Sequence, residues 1–319
     1  MATTVVVSLP STTVVSKVLV KPQPLQVPTV LPDIAILQAN VQVPFAAIGK
    51  LFDYLRANPA VAARLNQVYP TRGIFKNAAT TNPISDQKLT IDLSPNRISH
   101  IPAYLQAALM PHGLTEVLDF FNAVTGTYLD SILGALSATI NVDLGAIHKS
   151  HNVNFRLCDY TPDTASATSE NGCGAHRDYG TFTIIFQDGI QGLEIEDPAN
   201  PGVWQPIPAD ATVVLCGWCA HIISGGKLNA VRHRVRRQPG TRRLSAVLFV
   251  APDLNVALKP MVAGMPAVNF SDKILAGEIQ VKWFKEIMGK RWRWREGNED
   301  LKDGDLITQD EDIEKLILG

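Results

Sequence analysis

The hydrophobic pattern of the chain changes character near residue 150. Before that point apolar positions recur at helical spacing. Phe45, Ile48, Leu51, Phe52 and Leu55 form one stripe, which opens after Pro44 and closes at Asn58-Pro59. A short alanine-rich helix is predicted over 60–67. The longest helix is predicted over 115–140, where Val117, Phe121, Val124, Tyr128, Ile132 and Leu136 step by four and three and Thr115-Glu116 suits the start. So broad an apolar face must pack on a sheet, and the helix is read as core without catalytic residues. Residues 87–93, Q-K-L-T-I-D-L, alternate as a strand does.

Beyond residue 150 the runs are short and strand-like: 152–157, 181–186, 192–196, 211–216, 229–236 and 243–250. Asp188-Gly189, Pro198 to Gly202, Gly225-Gly226 and Pro239-Gly240 punctuate them as turns. Many short strands with regular turns predict an antiparallel sandwich or barrel. No internal repeat is visible.

The ends differ from this body. Residues 1–32 contain no acid and only Lys17 and Lys21 as cations, and Pro22, Pro24, Pro28 and Pro32 make 21–33 an extended connector. The expected organisation is an extended arm and helical region over 1–145, a barrel core with a C-terminal helix over 146–295, and a polar tail over 296–319.

Composition narrows the function classes. Of 319 residues 46% are hydrophobic and 18% charged, so core material is ample. A net charge of −1 gives no reason to expect nucleic acid as a partner, and no apolar run reaches membrane-span length. The start has neither a secretory core nor the arginine-rich amphipathic helix of a transit peptide, so the cytoplasm is the expected compartment. Cys158, Cys173, Cys216 and Cys219 are too sparse for a disulfide scaffold. The expected partner is a small-molecule substrate; oligomeric state is not readable.

Candidate chemistry begins at G-A-H-R-D-Y-G-T-F-T-I-I-F, residues 174–186. On a strand, His176 and Asp178 project together, with Arg177 facing elsewhere. An imidazole and a carboxylate need a third ligand to make a facial site of the kind that suits non-haem Fe(II) and O₂. His233, in N-A-V-R-H-R-V, is the candidate. Ten positions later Arg243 and Ser245 share a strand face, and a guanidinium with a hydroxyl suits one end of a dicarboxylate.

H-R-D, H-R-V and R-L-S in this order resemble the 2-oxoglutarate- and Fe(II)-dependent dioxygenases of plant and fungal biosynthesis, a group that includes isopenicillin N synthase. F-R-L-C-D-Y-T-P (155–162), D-Y-G-T-F-T-I-I-F-Q-D, G-L-E-I and the run from Gly217 to Val235 carry the likeness through 150–252. The resemblance implies a double-stranded β-helix, or jelly roll, flanked by N- and C-terminal helices. It implies His176, Asp178 and His233 as iron ligands, and Arg243, Ser245 and Tyr160 around 2-oxoglutarate. It implies Phe249 beside the substrate, with O₂ as co-reactant. Phe182 and Ile184 are expected to help keep the cavity dry, and Arg177 to hold an anionic or phenolic substrate oxygen. The outcome would be hydroxylation, desaturation or oxidative ring expansion of a natural-product intermediate, in the narrowest form a phenolic polyketide on its way to a tropolone.

Cys158 stands where that family commonly has Asn, Trp218 where it has Asp, and the family's N-terminal G-F-F…H-G pattern is missing. Two other readings stay open: an oxidase of the isopenicillin N synthase kind that works without 2-oxoglutarate, and a non-catalytic jelly roll that binds a metal or ligand. Cys216-Gly-Trp-Cys219 is read as buried and structural, because a strand feeding a helix N-terminus is not expected there. His221 could join these cysteines on zinc but lacks a fourth ligand. Arg291-Trp-Arg-Trp-Arg295 is read as a helix packing its tryptophans on the barrel rim.

Overall fold

The computed structural model describes residues 34–37, 43–69, 74–77, 86–150, 152–163, 169–295 and 310–319. The expected arm over 1–32 lies outside them, as do His151 and the side chains of Trp292 and Trp294.

The strands are β1 (Ile34–Leu37), β2 (Phe75–Asn77), β3 (Leu89–Leu93), β4 (Val153–Tyr160), β5 (Asn171–His176), β6 (Phe182–Gln187), β7 (Leu193–Glu196), β8 (Trp204–Pro206), β9 (Thr212–Cys216), β10 (His233–Arg236) and β11 (Arg243–Val250). The helices are α1 (Phe45–Ala57), α2 (Pro59–Gln67), α3 (Pro95–Ser99), α4 (Ala103–Leu109), α5 (Leu114–Ile140), α6 (Trp218–Ile223), α7 (Asp272–Leu275), α8 (Val281–Arg295) and α9 (Asp310–Ile317). One sheet runs β1-β9-β6-β11-β4-β3-β2 and the other β5-β10-β7-β8, with antiparallel pairing throughout. This is the jelly roll with flanking helices.

Strands β3, β4, β6, β9 and β11 of the large sheet are largely buried on both faces, and the two faces carry different chemistry. In β6, Phe182, Ile184 and Phe186 join the helical core, while Ile185 belongs to the barrel interior. In β4, Phe155 and Leu157 face the helices, and Cys158 and Tyr160 the interior. Helix α5 seals the first face: Phe120 meets Phe155 and Phe186 with ring centroids 6.0 and 5.2 Å apart, and Phe121 stacks on Phe155 at 5.3 Å. Its C-cap Asn141 takes the left-handed conformation (φ 55°), which Asn tolerates better than most residues.

Three features depart from the sequence reading. The N-terminal third does more than flank the barrel: β1 extends one edge of the large sheet, and β3 with β2 the other. The polar tail contains α9, whose Ile313 and Ile317 are fully buried. Its apolar positions lie four apart among acids, a spacing too short to stand out. The Cys216–Cys219 run does join a strand to a helix, β9 to α6, but all four cysteines are buried and free, and burial pushes the Cys219 thiol up.

His148 ties the turn after α5 to the loop before β6. Its Nδ1 donates to Leu144 O at 2.6 Å, and its Nε2 accepts from Thr181 Oγ1 at 2.7 Å. Burial holds its pKa below the ordinary histidine value, although the Leu144 carbonyl pulls the other way. The unfolded chain therefore takes up this proton first, and stability falls as pH drops below about 6.5. Urea midpoints at about pH 7.5 and pH 5.5 should separate less in His148→Gln than in the parent. Phe182→Ala should cost about 3–5 kcal/mol by urea denaturation, the range for emptying a packed core site. It should leave metal affinity unchanged if Phe182 belongs to the helical core alone.

Candidate metal centre

His176 closes β5 and His233 opens β10, and the register pairs them directly across the small sheet. Their rings lie 4.2 Å apart. Asp178 sits two residues past the end of β5, so strand alternation is not what aims it. Backbone bonds hold its loop instead. Trp218 N, at the start of α6, donates to Asp178 O at 2.9 Å, and Cys219 N to Tyr179 O at 3.0 Å. Gly217 makes this approach possible: a Cβ there would stand 2.5 Å from Gly180 O and 2.8 Å from Asp178 O.

The three side chains are buried, and one ligand atom from each lies within 4.8 Å of the others. His176 Nε2 stands 3.5 Å from Asp178 Oδ1, and His233 Nε2 3.9 Å from Asp178 Oδ2. Each imidazole is oriented from behind. His176 Nδ1 donates to Gly174 O at 2.8 Å, and His233 Nδ1 to Val231 O at 3.0 Å. A carbonyl can only accept, so Nδ1 carries a proton in each ring and Nε2 is the nitrogen that faces the centre. Thr183 Oγ1 donates to Asp178 Oδ2 at 2.6 Å. Burial pushes the Asp178 carboxyl up, but His233, His176 and Thr183 together hold it well below the usual carboxylate range. Two imidazoles and a carboxylate on one side suit a divalent metal with open positions, and non-haem Fe(II) among them.

Behind the triad lies a small cavity of about 40 Å³, lined mostly by buried side chains. Arg243, Ser245 and Tyr160 line it with the three ligands. Arg243 is rigid and only half satisfied. Its Nε donates to Ile190 O at 3.1 Å and its Nη2 to Gln187 Oε1 at 3.0 Å, while the buried Nη1 has no partner. Its guanidinium lies 5.1 Å over the Tyr160 ring. A buried guanidinium N–H left unpaired beside a hydroxyl suits an incoming carboxylate oxygen.

A larger cavity of about 660 Å³ opens on the other side of the triad, within the size range of small-molecule sites. Asp178, Arg156 and Phe249 line both cavities and form their boundary.

Three residues expected at the cavity lie elsewhere. Arg177 turns away from both cavities: its Nε donates to Ala230 O at 3.0 Å, its Nη1 pairs with Glu314 of α9, and it covers the Trp218 ring. It latches the C-terminal helix and does not reach substrate space. Phe182 and Ile184 face α5, one step of the alternation away from Thr183 and the metal. His221 is engaged by Leu228 O through Nδ1 at 2.8 Å, and among the described residues only the His176, Asp178, His233 group has metal-binding geometry.

Other groups in the site went unread. Lys88 lines the small cavity with its Nζ 3.0 Å from Asp86 Oδ2 and 3.1 Å from Cys173 Sγ. Burial alone would lower its pKa, but Asp86 and then Cys173 outweigh it and keep the ammonium charged. Arg156 forks onto Asp92, with Nε to Oδ1 at 2.8 Å and Nη2 to Oδ2 at 3.0 Å. The signal was present in the alternation: Lys88, Thr90 and Asp92 share a face, as do Arg156, Cys158 and Tyr160. Polar alternate positions read as solvated, and here they face a closed barrel.

Comparison with known proteins agrees with this geometry. Residues 150–252 match the family model of the 2OG-Fe(II) oxygenase superfamily. Over that stretch, about a third of its length, the chain is similar to that superfamily. It is also similar to the 2-oxoglutarate-dependent dioxygenase frbA of Dothideomycetidae sp. (strain 11243), 36% identical over 40% of this chain and 41% of the relative. The 2-oxoglutarate-dependent dioxygenase tropC of Talaromyces stipitatus is 29% identical over 48% and 51%. The matches thus span about half or less of these relatives' length. A 2OG-Fe(II) oxygenase family protein of Caulobacter crescentus shares the fold, with a TM-score of 0.54 at 22% identity over 79% of this chain and 88% of that one. Among the described residues no helix is long and apolar enough to cross a membrane.

Thr183→Val keeps the shape of the strand and removes the bond that fixes Asp178. Metal affinity, read by competition with a chelating dye, should weaken by about 10- to 100-fold while the unfolding midpoint moves little.

Proposed function

We propose that this protein is a 2-oxoglutarate- and Fe(II)-dependent dioxygenase that oxidises a C–H bond of a small natural-product intermediate. The unpartnered Nη1 of Arg243, buried in the same small cavity as the triad, carries the reading. Arg243 and Ser245 would take the distal carboxylate of 2-oxoglutarate, with Tyr160 supporting the guanidinium from its ring face. His176, Asp178 and His233 would hold Fe(II). Bound there, Fe(II), 2-oxoglutarate and O₂ supply the oxidising power, and the cosubstrate leaves as succinate and carbon dioxide.

The protein's own part is placement and exclusion of water. Gln187 and Ile190 fix the arginine fork before the cosubstrate arrives, so little order has to be created on binding. Gly174, Val231 and Thr183 fix the three ligands in the same way. Phe249 lines both cavities, so a substrate in the outer one can approach the metal without entering the cosubstrate's space. The small inner volume favours this reading over an oxidase that seats its peptide substrate on the Arg-Ser pair. The likeness to frbA and tropC, both 2-oxoglutarate-dependent dioxygenases by name, supports the cosubstrate. Hydroxylation, desaturation and oxidative ring expansion of a phenolic polyketide are the outcomes to test.

Metal-free protein titrated anaerobically with Fe(II) and then 2-oxoglutarate should develop the weak visible charge-transfer band of the chelate. His233→Ala should abolish it. Arg243→Met should raise the 2-oxoglutarate concentration needed by about 10- to 100-fold, the worth of a charge-assisted hydrogen bond. Iron binding without the band would favour the oxidase, and absence of iron binding would overturn the assignment.

A further inference from the structure

The outer cavity has a charge pattern that the oxidation chemistry does not use. Five charged side chains line it: Asp92, Arg97, Arg156, Asp178 and Lys285. Asp92 and Arg156 neutralise each other through their fork, and Asp178 faces the metal. Lys285 is exposed at the mouth, with its Nζ on Asn152 Oδ1 at 2.7 Å. Arg97 lies further in and is held by neutral groups. Its Nη1 donates to Asn154 Oδ1 at 2.9 Å, and its guanidinium covers the Tyr69 ring at 4.7 Å. Its Nε is buried and has no partner, and no carboxylate pairs with Arg97 among the described residues.

Asn154 and Tyr69 therefore fix the direction of a cation that lines an otherwise roomy pocket and has no carboxylate partner among the described residues. An arginine in this state favours an anion with planar oxygens. The walls narrow the class further, because Tyr69, Tyr179 and Phe249 line the cavity with aromatic rings that suit a flat apolar body. The register gives the length. Asn154 on β4 faces Phe249 on β11, and Phe249 faces Thr183 on β6, the residue that holds Asp178. Two strand spacings separate the Arg97 anchor from the metal ligand's support, about 10 Å.

We propose that the outer cavity binds a small aromatic carboxylic acid as its anion, with Arg97 holding the carboxylate and Phe249 directing the ring system toward the metal. This rests on the oxygenase reading for the role of the metal, and supplies the substrate class that reading leaves open. It also returns an anion-binding arginine to the site in place of Arg177, which α9 occupies.

The test uses anaerobic protein carrying Fe(II) and saturating 2-oxoglutarate. Benzoate, salicylate and naphthoate, each beside its methyl ester, are titrated by calorimetry. At least one acid should bind about tenfold or more tighter than its ester, the difference a charge-assisted bond makes. Arg97→Gln should reduce the acid to the level of the ester, and Arg97→Lys should restore part of the preference. Equal binding of acids and esters, no binding of any acid, or an undiminished preference in Arg97→Gln would overturn the proposal. The acid-over-ester preference is read in the unaltered protein, so it stands whether or not the variants fold. If the iron–2-oxoglutarate band never forms while the Arg97-dependent preference persists, the oxygenase reading fails and the anion pocket survives.

Discussion

A β-strand turns successive side chains to opposite faces, and in the central strands of this protein's large sheet both faces are largely buried. The helical side takes Phe155, Phe182, Ile184 and Phe186 against α5, which anchors the sheet by apolar area alone. The barrel side is then free to carry polar groups that a solvent-facing strand would spend on hydration. Thr183, Gln187, Arg243 and Ser245 occupy it on two adjacent strands, all of them buried. A slip of one residue in β11 would put Leu244 where the cosubstrate is expected and drive Arg243 into the helical core. The packing of α5 and the chemistry of the site therefore specify the same register.

Charged groups at this depth persist only with partners. Lys88 has Asp86, Arg156 has Asp92, and Asp178 has two imidazoles and Thr183. Breaking such a pair by removing one member costs about 3–5 kcal/mol, since the survivor stays buried and unpaired. Arg243 and Arg97 each keep one buried N–H outside this pairing. Both residues line cavities.

What the sequence made legible follows from range. The strand β11 was readable from residues 243–250 alone, because local alternation decides it. The triad was readable because H-x-D and a later H-R-V lie in order with Arg243 and Ser245. Which face each residue would occupy was not readable, since alternation divides a strand into two sets without saying which set meets which layer. That is why Phe182 is expected in the cavity it backs onto, and why the alternation of residues 87–93 gives Lys88 and Asp92 no role in the site. Arg177 failed for a different reason. Its partner Glu314 is 137 residues away in a short helix, a separation no local pattern encodes.

The boundary between the two cavities is the last consequence of the alternation. Arg156 and Phe249 come from non-equivalent rows of the same inner face, and with Asp178 they border both spaces. Arg156 cannot swing to either side without abandoning Asp92, which it grips through two bonds, and Asp92 also accepts from Asn154. Asn154 in turn holds Arg97. One chain of hydrogen bonds thus runs along the strands from the rim of the inner cavity to the anchor of the outer one. Its members sit on β3, β4 and α3, where the N-terminal region meets the barrel. The superfamily match over 150–252 contains His176, Asp178, His233, Arg243 and Ser245 but leaves out Asp92 and Arg97. The two ends of this hydrogen-bond chain therefore come from different parts of the sequence, one from the barrel and the other from the strand and helix laid along its edge.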